Sequence, residues 1–147
     1  MCMEGDPASA RAVLPEGWPR PHGYSQGLRV PAGHDLVVVA GQVGWDQNER
    51  FVGHTFVEQF EQALSNCVRI VEAGGGRAEH IVRLTMYCRD RHEYLDALKD
   101  VGQAYRRVMG RHYPVMAMVE VRALIEDAAM VEIEATAAIP PDEPPKA

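Results

Sequence analysis

Positive charge is in short supply. Lys and Arg total 15 against 21 Asp and Glu, a formal charge of −6 in 147 residues. A phosphate backbone is bound by a basic surface that releases counterions, so nucleic acid is a poor partner for this chain. An anionic membrane surface is disfavoured for the same reason. Cysteine is scarce: Cys2, Cys67 and Cys88 are the only three. An odd count without close spacing argues against a disulfide framework and suits a reducing cytoplasm. The six histidines (His22, His34, His54, His80, His92 and His112) show neither helical pairing nor a Cys–His zinc spacing, so no metal site is expected. No run of 18 apolar residues occurs, and Met1 to Arg11 lack the apolar stretch of a secretory signal. A cytoplasmic location is expected.

What is present is the composition of one globular domain, 46% hydrophobic and 24% charged. Prolines 15, 19 and 21 break the first 22 residues, which read as an arm ordered only where it packs on something. Residues 140–147 carry four prolines and read as a loose tail, since proline has no N–H to give a ladder. Residues 23–139 remain as a single domain.

Within it, Gln26 to Val30 is a short strand candidate and Leu36 to Val43 a β-branched one, with a hairpin loop expected between them. Thr55 and Glu58 form a capping-box pattern, after which Phe56, Phe60, Ala63, Leu64, Cys67, Val68 and Val71 share one helical face, stopped by Gly74-Gly75-Gly76. Ile81 to Cys88 alternates as a strand, with Val82, Leu84, Met86 and Cys88 on one face. Asp90 and Glu93 signal a second helix, whose stripe runs Tyr94, Leu98, Val101, Tyr105 and Val108 to Gly110. Two strands close the domain, about Val115 to Val121 and Met130 to Ala138, joined by a linker short enough for a hairpin.

The order β-β-α-β-α-β-β predicts a two-layer α+β sandwich with two helices on one face of a mixed sheet. In the last two strands, Val115, Ala117 and Val119, with Val131, Ile133, Ala135 and Ala137, are expected to face the helices. That leaves Met116, Met118 and Glu120, with Glu132, Glu134 and Thr136, on the other side. A face mixing thioethers and carboxylates suits contact with another subunit, so a homo-oligomer is inferred.

Several segments together resemble the Rid family (reactive intermediate deaminases, the YjgF type). They are Tyr24-Ser25-Gln26-Gly27, Val39-Ala40-Gly41-Gln42-Val43-Gly44, Gln62-Ala63-Leu64-Ser65-Asn66, Ala73-Gly74-Gly75, Val82 to Tyr87, Tyr105, Pro114, Val119-Glu120-Val121 and Val131-Glu132-Ile133-Glu134-Ala135. The resemblance runs in family order from about Tyr24 to Ile139. It implies a chorismate-mutase-like fold and a homotrimer whose sheets form a central barrel, with a small-molecule cleft at each subunit interface. It also implies hydrolysis of enamines and imines such as 2-aminoacrylate to keto acids and ammonia, with no metal and no organic cofactor.

Carried over by residue, Glu132 matches the glutamate that holds or activates water, Tyr24 the tyrosine that closes the cleft, and Gly41 the position whose carbonyl meets the substrate nitrogen. Trp45 is a further candidate for the cleft wall. The chain departs from the pattern after Pro114: where typical deaminases have a carboxylate-clamping arginine, it has Met116. Met118 replaces a small residue or cysteine, and Gly102 replaces the usual asparagine. Arginine pairs with a carboxylate bidentately, whereas methionine offers a soft apolar wall. Weak or absent 2-aminoacrylate activity and a more apolar ligand are therefore expected. His112-Tyr113 or Arg122 are candidate replacements for the lost arginine. The alternative reading is a non-enzymatic trimer that binds a small ligand or serves regulation. Ribonuclease activity is disfavoured by the charge.

Overall fold

The computed structural model describes residues 9–141. Its strands and helices, in chain order, are β1 (Arg11–Val13), β2 (Gly27–Arg29), β3 (Asp35–Val43), α1 (Phe56–Ala73), β4 (Ile81–Cys88), α2 (Arg91–Leu95), α3 (Leu98–Met109), β5 (Val115–Glu120) and β6 (Val131–Ile139). A four-stranded mixed sheet has the order β3-β6-β4-β5, and β1 pairs antiparallel with β2 in a separate ribbon. The helices cover one face of the larger sheet, an α+β sandwich. Cys2 and the tail from Asp142 onward lie outside the described residues.

Helix α1 starts where its caps dictate. Thr55 Oγ1 accepts from the Glu58 N–H at 3.2 Å, and Glu58 Oε2 accepts from the Thr55 and His54 N–H groups at 3.3 and 2.7 Å. At the other end, the Gly76 N–H returns to the Val71 carbonyl at 2.9 Å and closes the last turn. The buried stripe of Phe60, Ala63, Leu64, Cys67 and Val71 packs on Val39, Leu84, Ile133, Ala135 and Ala137. Burial pushes the Cys67 thiol up to about 12, which makes it an inert core group.

Three expectations are corrected. The second helix is two: the Ala97 N–H reaches back three residues to the Tyr94 carbonyl at 3.0 Å, and this tightening separates α2 from α3. Neither predicted hairpin forms. Strands β2 and β3 belong to different sheets, and β4 stands between β5 and β6. The face of β5 is also inverted. Its parallel register sets Met116 beside Leu84 and Met118 beside Met86. Leu84 and Met86 are buried under the helices, so the two methionines pack there too, while Val115, Ala117 and Val119 take the outer face. Both alternations of β5 are apolar, so only the neighbouring strand decides between them.

One buried polar residue ties the layers together. Gln59 on α1 donates to the Ala128 carbonyl at 3.0 Å and accepts from the Met130 N–H at 2.8 Å, fixing the loop that feeds β6. Gly44 makes room for it, since a Cβ there would lie 2.7 Å from the Gln59 Cα. Among the described residues no helix is long and apolar enough to cross a membrane. Replacing Gln59 by Leu leaves a backbone donor and an acceptor without partners. Chemical denaturation of Gln59→Leu is expected to show a loss of about 2–4 kcal/mol; an unchanged midpoint would refute the anchoring role.

Candidate functional site

A cavity of about 560 Å³ opens between the helix side of β4 and β5, helices α2 and α3, and the segment 22–24. That volume is in the range of small-molecule sites. Its floor is Met86, Met116 and Met118, with Phe60 behind them. Tyr94, Leu98, Val101, Gly102, Tyr105 and Arg106 form the helical wall. Tyr113 stacks on Tyr105 with ring centroids 5.4 Å apart and planes within 8°. The Tyr105 hydroxyl donates to the His112 carbonyl at 2.6 Å, and burial pushes that hydroxyl's pKa up.

Tyr24 stands at the mouth, half exposed. The next residue fixes the segment: the Ser25 N–H donates to the Pro114 carbonyl at 3.1 Å, and Ser25 Oγ donates to the Tyr113 carbonyl at 2.6 Å. A chain position ninety residues away from β5 is thereby held over it. Tyr24, Met116 and Met118 therefore line one cavity. Tyr113 joins them, while His112 turns its Nε2 to the Ile81 carbonyl at 2.6 Å and Arg122 is not part of the lining.

Glu132 and Gly41 lie elsewhere. On β6, Val131, Ile133 and Ala135 are buried beneath the helices, so Glu132, Glu134 and Thr136 occupy the opposite face. The β3–β6 register slips between Val39 and Gln42, and the bulge brings Gly41 against the Glu132 carboxylate. A Cβ on Gly41 would sit 2.9 Å from Glu132 Cδ and still closer to Oε1, so glycine is what allows the carboxylate to lie over the strand. Glu132 makes no hydrogen bond or ion pair with another described residue, whereas Glu134 accepts from the Tyr87 hydroxyl at 2.8 Å. That bond, then burial and the charges of Glu134 and Glu132, raises the Tyr87 hydroxyl pKa.

Glu120 departs from the expected carboxylate cluster. It follows Met118 onto the helix side and accepts from the Arg91 N–H at 2.8 Å at the start of α2. Trp45 packs on Phe51 at 5.8 Å beyond the end of β3 and does not line the cavity. Asn66 holds that turn through the Trp45 carbonyl at 2.8 Å. The sequence reading did not single out Tyr94, His22 or Arg106 for the cavity. The spacing from Gly102 to Arg106, one helical turn, is the sequence signal that places the arginine beside the glycine.

The fold and the cavity define a small α+β protein whose ligand-sized pocket and half-buried Glu132 carboxylate lie on opposite faces of one sheet. Residues 19–139 match the sequence model described as endoribonuclease L-PSP, and the chain belongs to that family, the Rid or YjgF type. A RutC family protein of Pyrococcus horikoshii is 31% identical over 127 residues, 85% of this chain and 94% of the relative. The 2-iminobutanoate/2-iminopropanoate deaminase of Salmonella typhimurium is 30% identical over 117 residues, 78% of this chain and 85% of that protein. Among solved structures, the Rid-family protein YyfB of Yersinia pestis superposes with a TM-score of 0.78 at 26% identity, covering 89% of this chain and 99% of that one.

The Gly41 contact is directly testable. Gly41→Ala is expected to displace the Glu132 carboxylate, the free end of a flexible side chain, and to cost no more than about 1 kcal/mol in a denaturant titration. A larger loss would show that the methyl strains the bulge itself.

Proposed function

We propose that this chain is a homotrimeric, cofactor-independent hydrolase of enamines or imines whose substrate range differs from that of the 2-aminoacrylate deaminases. One observation carries the reading: the candidate residues divide between the two faces of a sheet that no side chain can cross. Tyr24, Met116 and Met118 belong to the cavity, Gly41 and Glu132 to the bare face. A reaction using both sets needs the bare face of one copy beside the cavity of another. The outer face suits such contact, since Leu36 and Val38 on it are 65% and 75% exposed.

At the seam, Glu132 would act as general base. An enamine first tautomerises to the imine, whose nitrogen is protonated; water then attacks the iminium carbon while Glu132 takes one of its protons, giving a neutral amino alcohol. Glu132 returns that proton to the nitrogen, ammonia leaves as the C–N bond breaks, and the hydroxyl proton passes to the Glu132 carboxylate as C=O forms, ready to protonate the next imine. The Gly41 carbonyl would accept from the substrate N–H and orient it. Tyr24 would cover the cleft and exclude bulk water. The deaminase named among the relatives supports the reaction class, and the cytoplasmic location expected from cysteine usage is compatible with it.

Met116 favours a second reading, a trimer that binds a metabolite without turning it over, because the residue cannot pair with a carboxylate as arginine does. Ribonuclease activity is disfavoured by the net charge of −6. Ammonia release from imines generated in situ separates the readings. Wild-type protein is expected to hydrolyse a bulky or aromatic imine and to turn over 2-aminoacrylate weakly or not at all. Glu132→Gln is expected to lose about 100-fold or more of the rate. Full activity of Glu132→Gln would remove the mechanism, and binding without any ammonia release would establish the second reading.

A further inference from the structure

The cavity carries at its exposed rim a cation that neither the family pattern nor the proposed mechanism uses. Arg106 lines it, and no Asp or Glu does. Its guanidinium makes no hydrogen bond or ion pair with another described residue. The contrast with its neighbour is sharp: Arg107 forms a two-pronged pair with Glu61 at 2.8 and 2.9 Å. Arg106 sits one helical turn after Gly102, and a Cβ on Gly102 would lie 3.5 Å from Arg106 Nη1. The guanidinium therefore folds back across the bare backbone at Gly102, in ordinary van der Waals contact with the space a methyl would fill. A methyl at position 102 would fit beside it, whereas a bulky branched side chain would compete for the same space.

The other walls define what such a cation would hold. Thioethers of Met86, Met116 and Met118 face the tyrosines of α2, α3 and the β5 approach. Sulfur and ring faces favour an aromatic or bulky apolar body. A guanidinium without a counterion, in a cavity without carboxylates, favours an anion, and its planar fork fits a carboxylate. We propose that Arg106 is the carboxylate-binding residue of this cavity and that Gly102 is the gap that admits it. The ligand class is then a 2-imino or 2-oxo acid with an aromatic or bulky apolar side chain. The cation has moved from the strand position now held by Met116 to the facing helix, so a small acid such as 2-aminoacrylate loses its usual clamp while a larger one spans the cavity. This assignment rests on the hydrolase reading for the identity of the ligand, not for the existence of the site.

The test is equilibrium binding of phenylpyruvate, with 1-phenylpropan-2-one as the same skeleton lacking the carboxylate, measured calorimetrically on the full chain. Wild type is expected to bind phenylpyruvate at least tenfold tighter than the ketone. Arg106→Gln, which removes the charge, and Gly102→Leu, which displaces it, are each expected to raise the Kd for phenylpyruvate about ten- to a hundredfold. In both variants the loss for phenylpyruvate should exceed any change in ketone affinity. Arg107→Gln, whose partner is Glu61, should bind like wild type, and circular dichroism shows whether each variant is folded. Equal affinity of wild type for the two probes, or of Arg106→Gln and wild type for phenylpyruvate, would overturn the proposal. If Arg106→Gln binds normally while Glu132→Gln loses ammonia release, the carboxylate site falls and the hydrolase stands. If Glu132→Gln keeps its rate while Arg106→Gln loses binding, the reverse holds.

Discussion

A strand presents alternate side chains to opposite faces, and this chain has helices for only one of them. From that constraint the rest follows. The order β3-β6-β4-β5 fixes which alternation of each strand lies beneath the helices. On β6 it buries Val131, Ile133 and Ala135 and leaves Glu132 outside; on β5 it turns Met116 and Met118 inward. The cavity and the free carboxylate are then separated by the thickness of a sheet within one chain. The bare face carries the exposed Leu36 and Val38 on the same side of the sheet as Glu132 and Glu134, and in the proposed trimer a second copy would cover it and join the two halves of the site.

Local signals were legible where a single stretch of chain decides the outcome. Thr55, Glu58 and the glycines 74–76 bound α1 as their capping chemistry demands, because caps act within a turn. The alternation of β4 was equally clear, since one of its faces is apolar and the other carries Arg83, Thr85 and Tyr87. What failed was non-local. Strand β5 is apolar on both faces, so its orientation depends on the parallel register with β4, thirty residues earlier. The two hairpins read into short linkers gave way to pairings across the whole domain. Tyr24, Met116 and Met118 were named for the cleft through family order alone; the bonds that hold the Tyr24 segment over β5, from Ser25 to Tyr113 and Pro114, leave no trace in any local pattern.

The two departures read from the resemblance fit together under the proposed assignment: Met116 would take a charge away from the floor, and Gly102 would let Arg106 bring one in from the wall. Seen singly, the first looks like loss of function and the second like a weak point in a helix, where glycine costs about 1 kcal/mol relative to alanine. Under the proposed assignment, a cavity floored by thioethers with its cation on the helical wall prefers a larger, more apolar acid.

The central claim is that each reaction centre draws Glu132 from one copy and the cavity from the next. It is tested by mixing two inactive proteins, Glu132→Gln and a Met116→Trp variant whose indole fills the cavity, then unfolding and refolding them together. The account predicts that hybrid trimers, verified by native mass spectrometry, recover a substantial part of the ammonia-releasing activity because some seams pair an intact Glu132 with an intact cavity. Hybrids as inactive as both parents, or a protein that stays monomeric throughout, would contradict it.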